Sequence, residues 1–152
     1  MKYHFKGSSD HTIDNKNRLN IPAKYRKFFQ ENNENDLVAT LSLTDPCISL
    51  YPLSIYENLT ESFKEKLSKL DDRQTWILRN WSKNADDCTF DKQGRIILSA
   101  KLKEMTKINK DVIIIGTIDQ IEIWDPQILE KREKEINISS QDLRNLASER
   151  GL

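Results

Sequence analysis

The same pattern occurs twice in this chain: residues 14–26 read DNKNRLNIPAKYR, and residues 91–103 read DKQGRIILSAKLK. The two stretches align without gaps, and both the aspartate and the arginine of the shared motif Asp-x-x-x-Arg recur at an offset of 77 residues. Shorter stretches repeat as well, since LVAT at 37–40 parallels VIII at 112–115, and ISLY at 48–51 parallels IEIW at 121–124. Self-similarity at a nearly fixed period marks a repeated structural unit. We therefore interpret the chain as a tandem duplication.

Each copy of the motif predicts a tight turn between two strands. An aspartate at the start of a turn accepts hydrogen bonds from the backbone two residues on. Asn17 and Gly94 share the position at which a positive φ is tolerated. The alternation of residues 18–21 then gives one apolar face, as in a half-buried strand. The residues predicted to brace the two turns are Asp14, Asn17, Asp91 and Gly94.

Each half reads as strand, turn, strand, short helix, two strands and a longer helix. We expect a first repeat over residues 1–52, a connecting helical hairpin over 53–85, a second repeat over 86–125 and C-terminal helices over 126–152. A half of about 75 residues has little core of its own, so we expect the halves to interlock across a pseudo-two-fold axis. The first helix of the hairpin is predicted from apolar residues on one helical face: Ile55, Leu59, Phe63, Leu67 and Leu70. On the second, Trp76 and Trp81 are expected to be core or subunit contacts.

The distribution of charge favours a polyanionic partner. The 152 residues contain 24 Lys and Arg and 24 Asp and Glu, so the net charge is zero. Residues 1–28 nevertheless carry +5 and residues 91–110 carry +4, whereas residues 111–152 hold 5 basic and 9 acidic side chains. A solvated surface explains one such basic patch more readily than two patches centred on the same repeated turn. Clustered basic side chains are the electrostatic footprint of a nucleic-acid-binding surface.

Enzymatic chemistry is disfavoured by the sequence. Four glycines leave no phosphate-cradling loop, and the motifs GxSxG and HExxH are absent. His4 and His11 have no companion at metal-ligand spacing. Asp86 and Asp87 beside Asp91 resemble a paired-carboxylate site, but the first half has no equivalent, so a solvated strand entry is the preferred interpretation. We therefore expect no enzyme, no metal and no cofactor.

The cysteines and the N-terminus indicate a reducing compartment. Cys47 and Cys88 lack C-x-x-C spacing and are interpreted as small buried hydrophobes. The first seven residues contain charge but no apolar segment, and the longest strongly aliphatic run is residues 112–115. We expect a cytoplasmic protein without a membrane partner.

Residues 11–26, 90–98 and 121–124 closely resemble the MraZ family of bacterial transcriptional regulators, and the resemblance extends over essentially residues 1–135. It implies a β-rich α+β fold in which tandem duplicated, AbrB-like swapped-hairpin β-units form one pseudo-two-fold barrel with flanking helices. It also implies a homo-oligomeric ring that binds double-stranded DNA at tandem repeats upstream of the division and cell-wall gene cluster. The family usually acts there as a repressor. Because such a protein binds chromosomal DNA, it is expected at the nucleoid.

Carried over to this sequence, the motif arginines and turn lysines become DNA contacts, and two basic residues of the first short helix join them. The predicted contacts are Lys16, Arg18, Lys24, Arg26, Lys92 and Arg95. The sequence departs from the family at Asn17, where glycine is usual, and at Ser99, where proline is usual. The alternative function is an oligomeric scaffold or nucleoid-binding protein without sequence choice, and a small enzyme comes third.

Overall fold

The computed structural model describes residues 3–152, and Lys2, which contributes to the first basic stretch, lies outside them. The first half of the molecule comprises β1 (Ser8–Thr12), β2 (Arg18–Asn20), α1 (Ala23–Glu31), β3 (Asp36–Leu41), β4 (Ile48–Pro52), α2 (Leu53–Lys66) and α3 (Asp72–Lys83). The second half comprises β5 (Asp86–Thr89), β6 (Arg95–Ile97), α4 (Ala100–Met105), β7 (Asp111–Gly116), β8 (Ile121–Trp124), α5 (Pro126–Ile136) and α6 (Ser140–Glu149). No helix within residues 3–152 is long and apolar enough to cross a bilayer.

The order of the strands reflects the duplication. The larger sheet is antiparallel throughout and runs β1-β7-β8-β4-β3-β5, while β2 and β6 form a separate two-stranded ribbon. Replacing each strand by its counterpart in the other half reverses the order of the larger sheet, as a pseudo-two-fold axis requires. In the ribbon, Leu19 lies opposite its own counterpart Ile96. Because β1 pairs with β7 and β5 pairs with β3, the halves interlock.

The core lies between the inner face of the larger sheet and a layer formed by the ribbon, α1 and α4. Alternate residues of the sheet strands point inward, and Leu50, Ile114 and Ile121 are fully buried. They form one cluster with Leu19 and Leu102 from the opposite layer. This packing leaves the other face of the ribbon free for solvent or a partner.

The fold is mixed α+β, but it differs from the predicted fold class in its strand content and in the barrel. The strands span three to six residues each, whereas five of the helices span nine to fourteen, so helix exceeds strand and the chain is not β-rich. The predicted barrel is not confirmed, because β1 and β5 remain open edges of the larger sheet.

The first helix of the connecting hairpin is shorter than the apolar spacing predicts. The apolar spacing that begins at Ile55 corresponds to α2, but this helix ends at Lys66 because Leu67 adopts an extended conformation. Leu70 therefore falls in the connection to α3 and is 98% exposed, not part of an apolar face. Trp81 is buried against α2 and the sheet, whereas Trp76 is 51% exposed on the far side of α3. Only Trp81 is thus a core residue.

Both cysteines are free and buried, as the sequence predicts. Burial raises the pKa of both thiols, that of Cys88 to about 11. They therefore remain protonated at neutral pH and act as small apolar side chains.

Candidate nucleic-acid interface

The first turn is organised by the carboxylate of Asp14. Its Oδ1 accepts hydrogen bonds from the backbone N–H groups of Lys16 and Arg18, both at 2.9 Å. Its Oδ2 accepts a bond of 2.6 Å from Nε of Arg18. The backbone N–H of Asn17 donates to the carbonyl of Asp14 at 3.0 Å, and Asn17 has φ 61°. One carboxylate therefore fixes both the turn and the arginine that leaves it.

The second turn repeats this arrangement bond for bond. Oδ1 of Asp91 accepts from the backbone N–H groups of Gln93 and Arg95, both at 2.9 Å, and Oδ2 accepts from Nε of Arg95 at 2.8 Å. Gly94 has φ 78°, and its N–H donates to the carbonyl of Asp91 at 3.0 Å. Asn17 and Gly94 thus supply the same left-handed backbone conformation in the two halves, which asparagine tolerates better than most residues.

The environment of each carboxyl keeps it charged. The hydrogen bond from the backbone N–H of Arg18 is the main reason that the pKa of Asp14 lies below its ordinary value, and the bond from Arg95 has the same effect on the pKa of Asp91. Each arginine side chain is partly exposed, at 29% for Arg18 and 23% for Arg95. Within residues 3–152 only the Nε of each guanidinium has a side-chain partner. The Nη groups therefore remain available to a ligand.

The two turns lie against the ends of the ribbon, each bonded to the other half. The N–H of Leu98 donates to the carbonyl of Asn17 at 2.9 Å, and the N–H of Ile21 donates to the carbonyl of Gly94 at 3.2 Å. These two bonds are counterparts under the pseudo-two-fold axis. They hold both turns in a fixed relation to the ribbon.

A basic side chain from each half also reaches the turn of the other half. Nζ of Lys103 on α4 donates to Oδ1 of Asn17 at 2.7 Å. Its counterpart Arg26 on α1 lies over the second turn, where a Cβ built on Gly94 would be 2.6 Å from the guanidinium. Nε of Arg26 donates to the carbonyl of Ile21 at 3.0 Å. Each turn is therefore backed by a cation from the opposite half.

The register of the ribbon brings the two motif arginines to one face. Arg18 pairs with Ile97, and Asn20 pairs with Arg95. Directly opposed residues share a face, as do residues two apart on one strand, so all four side chains lie together. Leu19 between them points to the core and is fully buried. The two arginines are thus separated by only two ladder positions, which correspond to about 7 Å along the strands.

The predicted lysine contacts differ in whether they lie near this face. Lys16 and Lys92 are exposed at the tips of the two turns. Lys24 faces elsewhere, since its Nζ lies beside Gly7 and 5.3 Å from the centroid of the Tyr25 ring. It belongs with the N-terminal segment, not with the turns.

Sequence reasoning missed three residues of this surface. Asn20 is exposed and Ile97 is 64% exposed between the arginines, and the period-two alternation around Leu19 was the signal that could have found them. Lys103 entered only the count of charges, because its contact with Asn17 joins residues 86 positions apart. We call the whole set the ribbon surface, and its members are Asp14, Lys16, Asn17, Arg18, Asn20, Arg26, Asp91, Lys92, Gly94, Arg95, Ile97 and Lys103.

The ribbon surface is cationic and open, with six basic and two acidic side chains. Residues 3–152 contain no cluster of three or more His, Cys, Asp or Glu side chains able to hold a metal ion. The chemistry that this surface can perform is recognition of an anion by guanidinium, ammonium and amide donors.

Comparison with known proteins identifies similar chains over nearly the whole length. A family model described as "MraZ protein, putative antitoxin-like" matches residues 4–80 and again residues 82–150. Proteins named "Transcriptional regulator MraZ" from Serratia proteamaculans (strain 568) and from Yersinia pestis (strain Pestoides F) are each 30% identical over 146 residues. These alignments cover 96% of this chain and 95% of each relative. The names of the relatives describe a regulator, not an enzyme.

Proposed function

The chain belongs to the MraZ family, and from this premise we propose that it is a transcriptional regulator that binds double-stranded DNA sequence-specifically through the ribbon surface. The observation that carries the proposal is the pair of carboxylate-braced arginines on one exposed face of a two-stranded ribbon. The major groove of B-DNA is about 12 Å wide and admits such a ribbon. Several known regulators read DNA with strands in this way.

The arrangement of donors supports readout of base edges. Because Asp14 and Asp91 hold Nε, each guanidinium is oriented before binding and loses less conformational freedom when its Nη groups reach guanine O6 and N7. Asn20 has the side chain suited to adenine, and Ile97 can contact a thymine methyl group. The turn lysines Lys16 and Lys92 then contact phosphates, which set the register of the protein on the duplex.

The resemblance and the small size of one ribbon support a multivalent mode of action. We infer that several copies form a ring that binds tandem sites upstream of the division and cell-wall gene cluster at the nucleoid, and that binding represses transcription. One ribbon reaches few base pairs, so a single contact is weak, whereas later contacts within a ring are intramolecular. Strand exchange between the halves fits AbrB-like swapped-hairpin units, with the helical hairpin 53–85 and the tail 126–152 as flanking elements.

The alternative is an oligomeric scaffold or nucleoid-binding protein without sequence choice. The lysines and arginines of the ribbon surface also support this reading, since phosphate contacts alone give non-specific binding. The two functions differ in whether base edges contribute to affinity.

The test compares a fragment from upstream of the protein's own gene with competitor DNA of equal length. We expect Arg18→Ala and Arg95→Ala each to lower affinity for the specific fragment by about 1–3 kcal/mol, which is about 5- to 150-fold. Lys27→Ala, a basic residue on α1 outside the ribbon surface, is the matched control and should change little. Unchanged affinity in folded arginine variants would remove them from the interface. Equal affinity of the wild type for both fragments would favour the non-specific alternative.

A second measurement tests the multivalent mode with one, two and three sites at two salt concentrations. Tandem sites should bind about 100-fold or more tightly than one site. Inserting about half a helical turn between sites should remove much of this gain, because the sites then face different sides of the duplex. Indifference to site number or phase contradicts the ring mechanism but not DNA binding itself.

A further inference from the structure

Helix α6 has an apolar stripe that no other part of residues 3–152 covers. Leu143 and Leu146 are 55% and 50% exposed, and from residue 133 onward every residue except Ala147 is exposed. Arg150 continues the same stripe at helical spacing. The helix is nevertheless well specified, because the hydroxyl of Ser139 caps it by accepting from the N–H of Asp142 at 3.1 Å. A defined amphipathic helix without a partner indicates a docking element.

A second surface, which α5 covers only in part, lies on the outer face of the larger sheet in the second half. Ile113 and Ile115 on β7 point outward and are partly exposed, and Asp10 of β1 lies directly opposite Ile113. Asp111 and Glu122 share this face by strand alternation. We call these five residues the β7 face. It is apolar at the centre, and all three of its ionisable side chains are acidic.

The first half shows what covers the equivalent face. The counterparts of Ile113 and Ile115 are Val38 and Thr40, which are 2% and 0% exposed. Helix α3 lies over them, and the hydroxyl of Thr40 donates to the carbonyl of Trp81 at 3.2 Å. Helix α3 follows α2 as α6 follows α5, so α6 is the element that corresponds to the cover of β7. In this chain it does not take that position.

We propose that α6 of one copy packs across the β7 face of a second copy, in the position that α3 occupies on β3 within one chain. The proposal rests on the oligomer of the proposed function and names the two surfaces that join its subunits. Leu143 and Leu146 meet Ile113 and Ile115. Each copy then offers one α6 and receives another through a different surface, which is the head-to-tail arrangement that closes into rings.

Charge and connection length support exchange between copies. The α6 stripe ends in Arg150, whose guanidinium complements the acidic side chains of the β7 face, while the flanks of the stripe carry Arg144, Asp142 and Glu149. In the first half, five residues from 67 to 71 connect α2 to α3, whereas three residues from 137 to 139 connect α5 to α6. The two connections thus differ in length, and α6 remains exposed on its own subunit. It is therefore free to bind a neighbouring one.

The size of the helix predicts a concentration-dependent contact. A stable interface of standard size uses about 20–30 residues on each side, and α6 has ten. One contact should thus be weak, and assembly should be measured at tens of micromolar protein. Closing a ring adds stability because the last contact is intramolecular.

The experiment begins with a donor variant, Leu143→Asp with Leu146→Asp. Its matched control is Gln141→Asp with Ser148→Asp, which adds the same charge to the opposite side of α6. We expect the wild type and the control to sediment as the same oligomer and the donor variant to sediment as a monomer. Circular dichroism checks that all three are folded. An oligomeric donor variant, or a monomeric wild type, overturns the proposal.

An acceptor variant distinguishes exchange between copies from other roles of α6. Asp10→Lys with Asp111→Lys changes exposed residues and should repel Arg150, so this variant alone should also be a monomer. A mixture of the donor and acceptor variants retains one intact α6 and one intact β7 face, so it should form a heterodimer and no larger species. Failure to form this heterodimer, or an acceptor variant of wild-type size, overturns docking on the β7 face.

Single-site DNA binding separates this proposal from the proposed function. The donor variant should bind one site as the wild-type subunit does and lose only the gain from tandem sites. If no variant changes size while single-site binding persists, only the docking of α6 is wrong. If sizes change as expected but the wild type does not bind DNA, only the DNA-binding proposal is wrong.

Discussion

The two halves of the molecule agree at their turns and differ at their terminal helices. Asp14 and Asp91 make the same three hydrogen bonds with carboxylate oxygens, at distances that agree within 0.2 Å. Helix α3 instead buries Trp81 to 2% exposure, whereas α6 buries no residue. Both halves repeat one sequence pattern. Features that the two copies share are therefore required by the turn, whereas features that differ belong to one helix only.

The turns tolerate sequence change where the geometry allows it. Asn17 and Gly94 differ, yet both adopt a positive φ and both lie beside a cation from the other half. The helices differ more deeply, since Trp81 stacks on Tyr56 with ring centroids 4.7 Å apart and contacts Phe63 edge-on at 5.1 Å. Leu146 is instead 50% exposed. We infer that α3 stabilises the subunit and that α6 is available for assembly.

Substitutions in α3 and α6 should differ strongly in their effect on the free energy of unfolding. Trp81→Ala removes the aromatic cluster and the hydrogen bond from Nε1 to the hydroxyl of Thr60 at 2.8 Å. We expect it to lower the free energy of unfolding by about 3–5 kcal/mol, as for other large-to-small core substitutions. Leu146→Ala should change it by less than about 0.5 kcal/mol, because the side chain is half exposed.

Urea titration measures both changes, at a protein concentration low enough that assembly does not contribute. Equal losses in the two variants would contradict the different roles of α3 and α6. A loss for Leu146→Ala that appears only at high protein concentration would instead strengthen the assignment of α6 to assembly.

Substitutions at the two positive-φ positions of the turns should also differ in their effect on stability. Gly94→Ala should destabilise the protein by about 1–2 kcal/mol, because alanine is strained at a positive φ and its Cβ displaces the guanidinium of Arg26. Asn17→Gly relieves backbone strain in the first turn but removes the acceptor of Lys103. We expect these contributions to cancel to within about 0.5 kcal/mol.

Thermal unfolding of both variants checks this expectation, with Gly151→Ala as a control at a glycine of the same φ, 78°, that has nothing within 4 Å of the added Cβ. An effect of Gly94→Ala no larger than that of Gly151→Ala would mean that the contact with Arg26 contributes nothing.

Sequence reasoning succeeds here where the physical interactions are local. The turns depend on bonds between residues two to four positions apart and on a positive φ before the arginine, so Asp-x-x-x-Arg with Asn or Gly in that position contains what they require. The neighbour of Asn17 in space is Lys103, and only the pairing of β2 with β6 brings them together. The exposure of α6 could not be predicted either, because its apolar stripe resembles that of any packed helix. Leu70 shows the same limit, since periodicity continues past the residue at which the backbone leaves the helix.

The stability of the protein should depend weakly on pH, with equal contributions from the two turns. The pKa of Asp14 and that of Asp91 are lowered in the folded protein, chiefly by the backbone N–H groups of Arg18 and Arg95. A group whose pKa is depressed on folding stabilises the folded state fully above its unfolded pKa of about 3.9, and this contribution is lost as the pH falls through the lower folded value.

Asp14→Asn and Asp91→Asn keep the turn acceptor but remove the charge. Each should therefore be less stable than the wild type at pH 6 to 7, with a difference that begins to shrink as the pH falls below the unfolded pKa of about 3.9. The differences should be small because both ion pairs are partly exposed and screened by solvent, and the two variants should match because the bonds match. Urea midpoints from pH 3 to 7 at low salt measure this, and a difference that is constant with pH, or confined to one turn, would contradict the equivalence of the two turns.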